Sequence, residues 1–328
     1  MIVRFDQITK LCLTLLLLCS VSLAIAQTGA ERITIASGVR LRTAPQTRAD
    51  EVARLPLGAV VQVQEQSPGK EKIGQSEDFW YRVTTADGKS GWMFGSLSAP
   101  FDPAQREAIY QRIAAERLKV EQANFAELSD LVNFLTRAAA EITTPAVTAE
   151  LELSRLLALG RSLLNLAQTN ADGQAQHPWV KAHEKEIIYS EPGGLWLVRS
   201  DLFWNLQKKY RALPVADRIA WEAVKNGLPG ECEGYLPCSF ERLLLGEGKY
   251  LELYPQGAHA AEALGNIDEM LKFIIEDSQQ QKISEVPKED RPQFRKQIAQ
   301  FRALILKTGS PHKAAILRRL DQVAKLFP

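Results

Sequence analysis

A chain of 328 residues with 40 basic and 39 acidic side chains carries a net charge of +1. That balance gives no sign of the basic patch or stripe by which proteins engage nucleic acid. The apolar fraction of 45% and charged fraction of 24% are ordinary for a globular protein, and the length suits two domains better than one core.

The first element is apolar. Arg4 and Lys10 precede the run LCLTLLLLCSVSLAIA, which ends in small residues at Ala24 and Ala26. A basic start, a short apolar stretch and an A-x-A ending predict a signal peptide over 1–26, cleaved after Ala26. The run falls short of the roughly 20 residues that a membrane-spanning helix needs. Lipoprotein processing at Cys19 is the alternative, opposed by Leu17 and Leu18 where such signals take small residues. Cleavage removes Arg4, Asp6 and Lys10, which leaves a formally neutral protein. It also removes Cys12 and Cys19, so Cys232 and Cys238 are the cysteines that remain. In an oxidising compartment they predict a disulfide closing the short loop CEGYLPC. The expected address is periplasmic or extracellular, associated with the cell envelope and without a membrane span after cleavage.

From Ile33 to Leu97 the pattern is that of strands. ITIASGVRLRTAP alternates around Val39 and Leu41, and EVARLPLGAVVQVQEQ breaks at Pro56 and Gly58 before alternating through Val61 and Val63. FWYRVTT then turns at Ala86-Asp87-Gly88 into KSGWMF. Short alternating strands bounded by Gly, Pro and Asp predict a small all-β barrel, and Asp87-Gly88 is a hairpin signal because Gly accepts the positive φ of tight turns.

Gly38-Val39-Arg40-Leu41-Arg42 with Pro45, Leu57-Gly58-Ala59, Trp80-Tyr81-Arg82-Val83, Gly88, Gly91-Trp92 and Leu97 follow one another in an order that resembles the bacterial SH3-type (SH3b) domain, over residues 32–98. The Asn usual in the first motif is absent, with Val39-Arg40 in its place. The resemblance implies an SH3-like barrel that recognises peptidoglycan or a peptide, or that places a neighbouring domain. Trp80 and Trp92 are expected in the barrel core. Arg40, Arg42, Tyr81 and Phe94 are the candidate binding residues, since arginines pair with carboxylates and aromatic faces cover apolar groups.

Ser98-Ala99-Pro100 reads as a hinge to a mostly α-helical domain over 101–328, where Asp102-Pro103 supplies a cap and a first helical Pro. Phe125, Leu128, Val132, Leu135, Ala139 and Ile142 form one apolar stripe, stopped at Thr143-Thr144-Pro145, and Val147 to Leu166 form a Leu-rich helix. KEIIYSEPGGLWLVRSD predicts a hairpin around Pro192-Gly193-Gly194, with Trp179, Tyr189, Trp196 and Trp204 nearby sealing helical layers or lining a pocket. YLELYPQGAHAAEAL faintly resembles a junction of tetratricopeptide-like proteins, although no repeat period runs through the chain. Two last helices carry Phe294, Ile298, Phe301 and Ile305, then Ile316, Leu320, Val323 and Phe327.

Catalytic patterns are weak. Cys238-Ser239 stands near His259 and His312, but Pro237 and Glu241 depart from a papain-like setting and Cys232 is close enough to oxidise the thiol. His183-Glu184 does not continue as H-E-x-x-H because Ile187 holds the second His position, so no metal or other cofactor is expected. G-x-S-x-G and phosphate-loop patterns are absent. Glu184, Glu186, Glu231 and Glu233 are the carboxylates left for a glycan-cleaving site. The expectation is a non-enzymatic exported binding or scaffold protein whose partners are peptidoglycan or an envelope peptide or protein. The alternative is a peptidoglycan hydrolase with an unfamiliar helical catalytic domain.

Overall fold

The computed structural model describes residues 29–280 and 286–327. The predicted signal peptide 1–26 and its Cys19 alternative lie outside the described residues. The chain divides between Arg106 and Glu107 into two compact units.

The first unit is all-β apart from short 3-10 turns. Its strands are β1 (Glu31–Thr34), β2 (Val39–Arg42), β3 (Glu51–Leu55), β4 (Val60–Gln66), β5 (Glu71–Ile73), β6 (Ser76–Asp78), β7 (Trp80–Thr85), β8 (Ser90–Phe94) and β9 (Ser98–Phe101). Seven of them make one antiparallel sheet in the order β3-β2-β8-β7-β4-β1-β9, and β5-β6 form a separate hairpin. Breaks in register at Leu41/Arg42 and Val63/Glu65 increase the local twist. The sheet thereby gathers Val39, Leu41, Leu55, Val61, Val63, Val83 and Met93 into one buried core.

Two details pin this sheet. Thr34, fully buried, donates its hydroxyl to the Pro56 carbonyl at 2.6 Å and accepts the Ala59 N–H at 2.8 Å, which fixes the turn where Gly58 adopts φ 76°. Gly91 lies where a Cβ would meet Leu41 Cβ at 3.0 Å and the Arg42 carbonyl oxygen at 3.1 Å, so β2 and β8 approach this closely only without a side chain. The hinge expected at Ser98-Ala99-Pro100 is instead strand β9, paired to β1 from Glu31↔Phe101 to Thr34↔Ser98. Pro100 is exposed on this edge strand, where it interrupts no ladder.

The second unit is helical. Asp102 accepts the Ala104 N–H at 2.9 Å and caps a short 3-10 turn that leads into α1 (Arg106–Leu118). Asn124 and Glu127 form a reciprocal capping box that starts α2 (Phe125–Glu141). Its predicted stripe is buried at Leu128, Val132, Leu135 and Ile142, and it packs along α3 (Pro145–Thr169), whose buried face includes Leu151, Leu159 and Leu163. A short helix α4 (Pro178–Ala182) precedes the hairpin of β10 (Ile187–Ser190) and β11 (Leu195–Val198), turned at Gly194 with φ 59°.

There follow α5 (Ser200–Lys209), α6 (Val215–Lys225) and α7 (Leu236–Leu243), then a π-helical turn over Leu244–Gly248 that runs into α8 (Lys249–Leu253). The unit closes with α9 (Ala260–Gln279), α10 (Arg291–Lys307) and α11 (Lys313–Leu326). Phe240, Tyr250, Ile267, Phe294, Phe301 and Leu320 belong to one buried cluster of the last five helices, to which α6 adds Ala220 and Trp221. In the YLELYP…AEAL junction, the buried Tyr250 hydroxyl donates to Asp217 and accepts the His259 N–H at 3.0 Å, and Asp217 also accepts the Ala258 N–H at 3.0 Å. Burial and the neighbouring Asp217 push the Tyr250 hydroxyl well above its usual pKa, so it stays protonated and donating. Among the described residues no helix is long and apolar enough to cross a membrane.

Candidate functional site

The pairing of β7 with β8 sets Trp80 opposite Phe94, Tyr81 opposite Met93, Arg82 opposite Trp92 and Val83 opposite Gly91. Opposite residues share a face, so Val83 and Met93 point into the core while Trp80, Arg82, Trp92 and Phe94 stand on the other side. Arg42 lies beside Trp92 across the β2–β8 pair and belongs to the same side.

On that outer side the β5–β6 hairpin folds over Trp80. Its indole N–H donates to the Glu71 carboxylate, and its backbone N–H donates to the Ser67 hydroxyl at 3.0 Å. The Phe94 ring lies 5.5 Å away, tilted by 58°. These two rings, with Ile73 of the hairpin and Leu97, bound a cleft of about 320 Å³ whose rim carries Arg40 and Arg42. No carboxylate is among the side chains lining it.

Both arginines are already partly engaged. Arg40 Nε lies 3.2 Å from Glu51, which also pairs with Arg54 at 2.7 Å. The Arg54 hydrogen bond, with Arg40 and Arg42 nearby, holds the Glu51 carboxyl below its usual range and keeps it charged. Arg42 donates one Nη hydrogen to the Ala49 carbonyl at 2.7 Å and so braces the loop between β2 and β3. A guanidinium presents five donors, and one bond each leaves both forks with donors to spare. The Ser37 hydroxyl, buried at the cleft wall, has no hydrogen-bond partner among the described residues.

Arg40, Arg42 and Phe94 line one cleft, but Phe94 is 6% exposed and acts as floor rather than as the open aromatic face expected of it. Tyr81 is displaced from the predicted site. It lies on the core side of β7, packed against the barrel core and Gly95, with the Arg32 guanidinium 4.3 Å over its ring. Arg32 is fixed there by bonds to the Ser98 hydroxyl at 2.8 Å and the Ser98 carbonyl at 3.0 Å. Trp80 is buried as expected, but beneath the hairpin outside the barrel core. Trp92 does not plug the barrel either: it is half-buried on the outer face, and Met93, fully buried, fills the core instead. The cause is strand parity, because Gly91 must face Leu41 and so turns Met93 inward and Trp92 outward. Ser37, Ile73 and Glu71 are site residues that the sequence pattern does not mark.

In the helical unit, Cys232 and Cys238 form the predicted disulfide, with Cα atoms 5.6 Å apart. The loop enters through Gly230 at φ 77° and holds Glu233 at φ 48°, and Arg242 ties it down through the Leu228 and Pro229 carbonyls at 2.6 and 2.8 Å. This bond occupies the Cys238 sulfur that a papain-like reaction needs free. A cavity of about 430 Å³ lies between this loop, α6 and the π-helical turn.

His183 and Arg155 both bond Glu186, the former at 2.7 Å, and hold its carboxyl below the usual range, the opposite of what a protonated lytic acid requires. Glu184, Glu231 and Glu233 are surface residues. No group of three metal-type ligands occurs among the described residues. Of the four aromatics near the hairpin, Trp179 lies against His183 with ring centroids 4.3 Å apart and planes tilted by 59°, Tyr189 pairs with Trp196 at 5.2 Å, and Lys249 covers Trp204 at 4.2 Å.

Residues 37–99 match the family model described as bacterial SH3 domain. No curated protein and no solved structure matches the chain. The N-terminal unit of this chain is thus a bacterial SH3-type domain, a kind of module that binds cell wall or peptide ligands, followed by a mostly helical unit.

Proposed function

We propose that this protein is a non-enzymatic binding or scaffold protein of the cell envelope. Its SH3-type domain recognises peptidoglycan or an envelope peptide through the Trp80–Phe94 cleft, and its helical unit holds a protein partner. The observation that carries this reading is the cleft itself: a concave site on the SH3-type domain, with an aromatic floor and two arginines at its rim. The Cys232–Cys238 disulfide supports export, since such bonds persist in oxidising compartments. For the helical unit, a groove of about 480 Å³ between α1, α3 and α6, with Ala114, Ala115 and Ser154 in its wall, offers the concave surface that helix-in-groove recognition uses.

The test is co-sedimentation of the full chain with purified peptidoglycan sacculi, with soluble muropeptides assayed in the same tubes. Saturable retention without muropeptide release is expected. Release of muropeptides replaces this reading with a hydrolase, and absence of retention rules out peptidoglycan as the ligand.

A further inference from the structure

The charge of the cleft is one-sided. Arg40 and Arg42 stand at its rim, and no acidic side chain lines it. Each arginine keeps donors beyond the single bond it makes to Glu51 or Ala49, and paired N–H groups at a rim match the geometry of a carboxylate. The floor is apolar, because Trp80 turns its indole N–H away to Glu71 and leaves ring carbon beside Phe94 and Ile73. The buried Ser37 hydroxyl supplies one further polar group without a partner.

Two ligand classes fit poorly. A sugar ring stacks on an open aromatic platform, and Trp80 and Phe94 are only 3% and 6% exposed. A nucleic acid calls for an extended basic surface, and here two guanidinium groups stand over a pocket of about 320 Å³. That volume takes the end of a peptide, not its length.

We propose that this cleft binds the free C-terminal carboxylate of a peptide. Arg40 and Arg42 hold the carboxylate, and the last apolar side chain sits in the cleft against Ile73 and Leu97, above the buried Trp80–Phe94 pair. The proposal rests on the reading of the SH3-type domain as the ligand-binding unit and names the chemistry that it selects. It also gives Glu51 a role: a ligand carboxylate competes with Glu51 for Arg40.

The experiment is calorimetric titration of the full chain with the tripeptide Gly-Leu-Ala as free acid, the same tripeptide as C-terminal amide, and Gly-Glu-Ala amide, whose carboxylate is on a side chain. The free acid is expected to bind about tenfold or more tightly than either amide, as a charge-assisted bidentate contact implies. Arg40→Gln, at a side chain 51% exposed and outside the core, is expected to weaken the free acid about tenfold while unfolding at the unchanged temperature. Glu51→Gln is expected to tighten it several-fold. Equal binding of acid and amide overturns the proposal, as does equal binding of the side-chain acid or a weakened Glu51→Gln variant. Sacculus retention that persists beside any of these failures leaves the broader reading standing, and loss of both removes the broader reading as well.

Discussion

Trp80 and Phe94 face each other across β7 and β8 with ring centroids 5.5 Å apart, on the side of the sheet away from the Val83–Met93 core. The SH3-type domain thus has two apolar layers, the second sealed by the β5–β6 hairpin through the Trp80–Glu71 hydrogen bond. Trp80→Ala empties that layer and strips Glu71 of its indole donor. It is expected to cost about 3–5 kcal/mol in local stability. Trp80→Phe keeps an aromatic ring in the layer but loses the N–H and part of the ring volume, for a smaller cost of about 1–3 kcal/mol. Hydrogen exchange of the β7 and β8 amides reads both values, and an unchanged exchange rate in Trp80→Ala would contradict the sealed layer.

Gly91 and Gly88 are glycines for different reasons. At Gly91 an added methyl meets Leu41 and the Arg42 carbonyl within 3.1 Å, so Gly91→Ala must separate β2 from β8 at a cost of about 1–3 kcal/mol. At Gly88 nothing lies within 4 Å and only the φ of 82° resists a side chain, which costs about 1–2 kcal/mol. Opening the rim side of the sheet also moves Arg42. Gly91→Ala is therefore expected to weaken ligand binding and Gly88→Ala to leave it unchanged, as measured by titration with the free-acid peptide.

Removal of the disulfide by the double change Cys232→Ser and Cys238→Ser is expected to lower stability by about 2 kcal/mol, the chain-entropy value for so short a loop. The bond holds the entrance to α7 and one wall of the neighbouring cavity. Faster amide exchange is expected around residues 229–238, with the remote α2–α3 pair unaffected. Equal denaturant midpoints for the two proteins would show that Arg242, through Leu228 and Pro229, holds the loop alone.

Glu186 links stability to pH. Its carboxyl is held below the ordinary Glu value of 4.5 by the His183 hydrogen bond and the Arg155 charge, against a burial that raises it. A depressed folded value means that the charged form stabilises the fold above the ordinary Glu range. That contribution is lost as pH falls through the folded value. Wild-type protein is therefore expected to melt above Glu186→Gln at pH 6, with the gap closing below about pH 4.5. A gap that widens on acidification would contradict the assignment.

Features of the sequence tied to backbone conformation are legible, and features tied to distant pairing are not. Gly58 and Gly88 mark their turns because φ values of 76° and 82° exclude most side chains. The stripes of α2, α10 and α11 are read correctly because helical burial repeats locally in sequence. The parity of β8 is ambiguous in GWMF, since Trp92 and Met93 are both apolar. What decides it is the closeness of Gly91 to β2, a neighbour some fifty positions back in the chain. Ser98-Ala99-Pro100 looks like a linker because its partner strand, β1, lies at the far end of the domain. The cleft combines Ser37, Arg42, Ile73 and Phe94, which no spacing rule connects, and the polar hairpin that supplies Glu71 has no apolar period of its own.

The most direct test of the central claim, that the SH3-type cleft is the ligand-binding site, uses the indole N–H resonances of the six tryptophans in the full chain. Titration with soluble peptidoglycan fragments is predicted to shift the Trp80 signal saturably, with a smaller change at Trp92 beside Arg42 and none at Trp179 or Trp221. Saturable shifts confined to Trp179, Trp196, Trp204 or Trp221, with Trp80 and Trp92 unmoved, would place the ligand on the helical unit and contradict the account.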